Sequence, residues 1–234
     1  MREKKSVWIL DLSFGYQLVA GLVFWLTLML VGVCCNTILQ LRVRNRKNLH
    51  KVPGSGCFLI SNHTLYLDPG IMAYVFAPRR ILFSAMEETF YIPYLGGYIR
   101  LLGAFPIPDE MSLRRLVKPV KQALDRGWLV HFFPERHLKW RNQSVQPFFP
   151  GVFFLAQLFN VPVVPVALVL KHPKLFGRPI SRYFVWVKVV VGKPLYPNRF
   201  RTKGRDRREA LATMASHARA VIQEAIDRER GRVN

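Results

Sequence analysis

The run LVAGLVFWLTLMLVGVCC, residues 18–35, carries no charged side chain. As a helix it would reach roughly 27 Å at about 1.5 Å per residue, close to the thickness of a bilayer's hydrocarbon core. A segment without a polar face must be covered by lipid or by the protein's own core. The preceding stretch, VWILDLSFGYQ, is apolar too but is broken by Asp11, Gly15 and Gln17. The run leads into no small-residue cleavage site, so a secretory leader fits poorly. Its carboxyl side continues instead as NTILQLRVRNRKNLH, rich in Arg and Lys, and Arg2, Lys4 and Lys5 make the other flank basic as well. Positive charge on both sides gives no orientation. A single span, a monotopic hairpin within one leaflet and an ordinary core helix all remain open. Residues 1–41 are expected to form an N-terminal membrane anchor, as a helical hairpin or a single span, and 42–234 one α/β domain.

Charge narrows the partners. Lys and Arg number 35 against 14 Asp and Glu, a net charge of +21, yet half of the chain is hydrophobic. A surface this basic seeks polyanions. Combined with so much apolar sequence, it favours anionic lipid over nucleic acid, and no nucleic-acid partner is expected. The three cysteines lack disulfide or metal-ligand spacing, which suits a reducing compartment.

Beyond the anchor, CFLIS (57–61), RILFSA (80–85), WLVHFF (128–133), VPVVPVALVL (161–170) and YFVWVKVVVG (183–192) read as strands. LRRLVKPVKQALDRG and VFFLAQLFN read as helices between them. This alternation predicts an α/β fold, a largely parallel sheet flanked by helices and preceded by membrane-anchoring helices. The last strand alternates most strongly and is expected at an edge or antiparallel. After the basic cluster RFRTKGRDRRE, residues 210–225 repeat apolar positions at helical spacing, for packing on the domain or on a membrane surface.

SNHTLYLDPG, residues 61–70, joins the first of these strands to a helix. On one helix His63 and Asp68 would point about 140° apart. A strand-to-helix turn removes the conflict. Asp68 is expected at the N-cap with Pro69 at the first helical position, and His63 in the loop beyond the strand's carboxyl end, where parallel sheets place ligands. Asp68 would then hold His63 Nδ1–H and leave Nε2 as a base. A capping aspartate beside an unrelated histidine is the plain alternative.

NHTLYLD resembles the N-H-x4-D block of the glycerolipid acyltransferases, a family that includes bacterial 1-acylglycerol-3-phosphate acyltransferases. LLGAFPIPD (101–109) is similar to their second block, FFPE (132–135) to the start of F-P-E-G-T-R, and VPVVPVAL (161–168) to the fourth. The resemblance covers about residues 45–200. It implies an O-acyltransferase that moves a fatty acyl chain from acyl-CoA or acyl carrier protein, as co-substrate, to a lysophospholipid hydroxyl, with membrane lipids as partners. It implies His63 as general base, Asp68 as its orienting partner, Glu135 as an acceptor-binding residue, and no metal or bound cofactor. It also implies attachment to the inner (cytoplasmic) membrane with the catalytic domain on the cytoplasmic side.

The sequence departs from the pattern where phosphate cations are expected. Arg136, His137 and Leu138 replace Gly-Thr-Arg, and a lost Gly matters where φ is positive. Pro108, Asp109 and Glu110 stand at the end of the second block, with Arg114 and Arg115 the nearest cations. Phe149 and Pro150 stand where relatives have basic residues. Either Arg136, Lys139 and Arg141 hold an acceptor phosphate from shifted positions, or the acceptor is another lysolipid or an aminolipid. A non-catalytic lipid-binding protein on the same fold is the alternative from a different class.

Overall fold

The computed structural model describes residues 11, 13–51, 54, 56–107, 114–176, 178–179, 184–200 and 206–231. The basic residues expected before the apolar run, with Pro108, Asp109, Glu110 and the 201–205 cluster, lie outside the described residues. In chain order the elements are α1 (Phe14–Thr37), β1 (Arg42–Arg44), β2 (Cys57–Ser61), α2 (Asp68–Phe76), β3 (Ile81–Met86), α3 (Leu95–Leu101), β4 (Ala104–Ile107) and α4 (Arg114–Asp125). Next come β5 (Leu129–Phe132), α5 (Gly151–Phe159), β6 (Val163–Lys171), β7 (Lys174–Leu175), β8 (Arg178–Pro179), β9 (Trp186–Val191) and α6 (Arg207–Gly231).

A seven-stranded sheet has the order β1-β9-β6-β2-β5-β3-β4. Its pairs are parallel except β6–β9, which is antiparallel. The expected α/β class is therefore observed. The strongly alternating strand is antiparallel as expected but is not an edge, because β1 pairs with its other side. That three-residue strand was too short to stand out in the sequence.

Every residue of β2 is buried, as a strand covered on both faces requires. Successive side chains divide between two cores: Cys57 and Leu59 join α1 and α2 below the sheet, while Phe58 and Ile60 join α4, α5 and α6 above it. The C-terminal helix thus packs on the domain through Leu211, Met214, Ala218 and Ile222. It has no second apolar face for a membrane.

α1 is long and apolar enough to cross a membrane. It nevertheless lies along the domain, with Leu28, Val31 and Cys35, and Leu39 just past its end, in the same core as Met72 and Phe76 of α2. Gly32 permits the close approach, since a Cβ there would lie 2.7 Å from the Tyr74 ring. Asn36 Nδ2 donates to Tyr74 Oη (2.7 Å), and Thr27 Oγ1 and Tyr98 Oη share a 2.8 Å bond. The opposite face, including Leu22, Trp25, Met29 and Val33, is exposed.

Candidate active site

Parallel strands β2 and β5 end side by side at Ser61 and Phe132, while neighbouring β6 runs on to Lys171, and the site is built where the first two stop. At the end of β2, buried Asn62 continues the strand pairing with its side chain. Its Nδ2 donates to Leu168 O (3.0 Å) and its Oδ1 accepts from Leu168 N (2.8 Å). That double bond ends regular structure at a fixed point, and His63 is the next residue.

His63 and Asp68 meet. Nδ1 lies 3.0 Å from Asp68 Oδ2, with the His63 side chain 18% exposed and Asp68 fully buried. Because a carboxylate only accepts, Nδ1 is the donor in this bond. The cap differs in detail from expectation: Leu67 is the N-cap, Asp68 the first helical residue and Pro69 the second. The Asp68 carboxylate turns back on the loop, accepting from Thr64 N (2.7 Å) and Leu65 N (2.8 Å). It is therefore at once the turn's own bracket and the histidine's partner. Burial pushes its carboxyl above the ordinary value, and the bonds from His63, Leu65 and Thr64 oppose that.

Glu135 sits one loop away, at the end of β5, with both oxygens held by main chain. Oε1 accepts from His63 N (3.1 Å) and Oε2 from Gln146 N (2.9 Å), and the residue is buried. Here the carboxylate is a brace under the His63 turn, a structural role that the sequence did not suggest. Burial raises its pKa, and the N–H groups of Gln146 and His63 pull it down. The loop after Glu135 grips the same turn through Lys139 N to His63 O (3.1 Å) and Arg141 N to Thr64 O (2.8 Å). Gln143 fastens the loop to β6 by accepting from Leu170 N (2.9 Å). Helix α6 holds it from outside: Gln223 Oε1 accepts from Val145 N (2.8 Å), and Arg219 Nε donates to Val145 O (2.9 Å).

Arg136 occupies the position of the missing Gly and keeps the left-handed backbone, φ 66°. The strain of a side chain there is of order 1–2 kcal/mol. Its guanidinium lies 3.9 Å over the Phe149 ring, which returns positive charge to a position where the sequence had lost it. Lys139 is exposed, and Arg141 lines a groove of about 280 Å³. Arg114 and Arg115 begin α4, and their side chains lie outside the described residues.

The groove's wall is apolar: Ile38 and Leu39 past the end of α1, Leu65, Tyr66 and Leu67 of the His63 turn, Trp140, Phe184 and Val185. Beneath the turn the His63 ring stacks on Phe133 at 3.9 Å, and buried His131 meets that Phe edge-on at 4.4 Å. Desolvation drives the His131 pKa down to about 3, so it is neutral; Ser61 Oγ lies 3.0 Å from its Nε2. The alternation of WLVHFF places His131 in a strand, but only the fold reveals that it lies under the His63 turn. Cys57 is buried, and burial pushes its thiol up to about 12, which leaves no activated nucleophile at that strand.

The chain resembles the 1-acyl-sn-glycerol-3-phosphate acyltransferase of Bacillus subtilis, with 27% identity over 194 residues, covering 80% of this chain and 92% of the relative. The chloroplastic 1-acyl-sn-glycerol-3-phosphate acyltransferase of Brassica napus is 29% identical over 156 residues, 64% of this chain but only 44% of that relative's length. In fold it is similar to the crystal structure of the 1-acyl-sn-glycerophosphate (LPA) acyltransferase PlsC from Thermotoga maritima. That likeness has a TM-score of 0.63 at 18% identity, over 96% of this chain and 85% of that one. The family model described as Acyltransferase matches residues 40–169, more than half of the chain, from the edge of α1 through the His63 turn to β6; the chain belongs to that family.

Proposed function

We propose that the protein is a membrane-associated O-acyltransferase that moves a fatty acyl chain from a thioester to a lysophospholipid hydroxyl. The first candidate acceptor is 1-acyl-sn-glycerol-3-phosphate. The observation that carries this is the 3.0 Å His63 Nδ1–Asp68 Oδ2 contact, fixed in a turn held by Glu135 and the Lys139–Arg141 loop. Support for a lipid substrate comes from the apolar groove that shares the His63 turn as a wall.

In the reaction, His63 Nε2 takes the acceptor's hydroxyl proton while that oxygen attacks the thioester carbonyl. A C–O bond forms, the tetrahedral intermediate collapses, and the C–S bond breaks. The proton on Nε2 passes to the departing sulfur of CoA or acyl carrier protein. Asp68 keeps the imidazole in its tautomer and stabilises the transient imidazolium. No enzyme nucleophile is required, because the thioester is already activated and the site needs only to orient it. Arg136, Lys139 and Arg141 would hold the acceptor phosphate, with Arg114 and Arg115 as further candidates. Phe149 and Pro150 favour a second reading in which the acceptor is another lysolipid or an aminolipid.

Membrane attachment would use the exposed face of α1. A helix packed along its length on the domain cannot also stand across a bilayer with the domain outside it, so we favour an in-plane, monotopic arrangement on the cytoplasmic side. The test is acyl transfer from radiolabelled acyl-CoA, and from acyl carrier protein, to a panel of lysolipids. The wild type should form product and His63→Ala should form none while still binding vesicles. Full activity in that variant would refute the mechanism.

A further inference from the structure

Beside the end of α1, two aromatic side chains face outward from loops that are otherwise firmly held. Tyr66 is 81% exposed and Trp140 is 55% exposed, with ring centroids 5.4 Å apart. Neither sits on a loose loop. Tyr66 lies within the turn bracketed by Asp68, and Trp140 lies between Lys139 and Arg141, whose N–H groups bond to the His63 turn. Phe184 and Ile38, both exposed, complete the rim of the same groove. Rings held rigidly in water gain nothing in the isolated molecule, whereas an amphipathic ring at a lipid headgroup boundary satisfies both its ends.

Two further observations choose the occupant. The rim is continuous through Ile38 with the exposed apolar face of α1 at Met29, Leu30 and Val33. Cations adjoin it: Arg141 lines the groove with its guanidinium 5.3 Å from the Trp140 ring centroid, and Lys139, next to Trp140 in the chain, is exposed. Apolar and aromatic groups edged by cations match an anionic leaflet.

We propose that Tyr66, Trp140 and Phe184 form a membrane-docking portal. The rim inserts at the headgroup–acyl boundary of an anionic bilayer and opens the groove sideways into the leaflet, so that lipid reaches the His63 turn without crossing water. What passes through the portal rests on the acyl-transfer reading; the membrane contact itself does not.

Tryptophan emission of the full chain is recorded on phosphatidylcholine–phosphatidylglycerol vesicles brominated near the headgroup end of the acyl chains. Subtracting the Trp140→Phe spectrum isolates Trp140. On vesicles, that component should shift to the blue, fall at least about twofold on bromination and lose access to iodide. Tyr66→Ser combined with Trp140→Ser should weaken vesicle binding about tenfold, more on anionic than on neutral vesicles. A Trp140 component that stays iodide-accessible and unquenched overturns the portal, as does unchanged binding by the double variant. Shielding of Trp140 by acyl carrier protein and not by vesicles would assign the face to the donor and equally overturn it. Neither arm reads catalysis. A wild type that binds this way but transfers no acyl group removes the proposed function alone, and an active enzyme with an unquenched Trp140 removes the portal alone.

Discussion

Asp68 Oδ2 receives three N–H groups, from His63, Thr64 and Leu65, so one buried oxygen both shapes the turn and orients the base. Asp68→Asn keeps an acceptor for the main chain but removes the charge that favours imidazolium. We expect kcat to fall roughly 10²–10⁴-fold with KM and melting temperature little changed, measured by steady-state kinetics and thermal unfolding. His131 supplies a pH effect of a different kind. Its folded pKa is near 3 because it is desolvated, while unfolding frees it to bind a proton. Its contribution to stability is therefore intact above about pH 6.5 and is lost as pH falls toward the folded value, by about 2 kcal/mol at about pH 5. His131→Gln should remove this dependence. Urea unfolding at neutral and acidic pH tests it, and equal pH slopes for variant and wild type would refute it.

At the scale of elements, α1 answers a question its own sequence leaves open. Its apolar run fits a span, a hairpin and a core helix equally, because hydrophobicity alone does not say what covers it. Gly32 against Tyr74, and the bonds from Asn36 and Thr27, fix it along α2 and α3. Gly32→Leu would press on a Tyr74 ring that Asn36 holds in place. A destabilisation of about 1–3 kcal/mol is expected, read as a lower melting temperature.

At the scale of the whole molecule, the last helix is tied to the first motif. The path runs from Gln223 through Val145 and Gln146 to Glu135, and from Glu135 to His63 N. Gln223→Met removes both the acceptor for Val145 N and the donor to Gln143 O. Loosening the loop should lower kcat about ten- to a hundredfold with a smaller change in KM. Hydrogen exchange across residues 61–68 should accelerate while the α6 core stays protected. Glu224→Gln, exposed on the same helix, should leave both readings unchanged.

The features determined by sequence alone are those with short-range causes. The uncharged run, the strand–helix alternation and the His63–Asp68 pair, five positions apart in one turn, were all legible there. The Gly of the resembled block raised only the question of a positive φ at position 136, and the structure answers it with Arg136 at φ 66°. Tertiary structure decided which side chains support the turn. Glu135 reaches His63 N across 72 positions, and Gln223 reaches Val145 N across 78. No local periodicity encodes such contacts. They exist because parallel strands β2 and β5 end side by side while β6 runs on past them, and α6 packs across the sheet's face, bringing distant polar groups close enough to satisfy one another out of water.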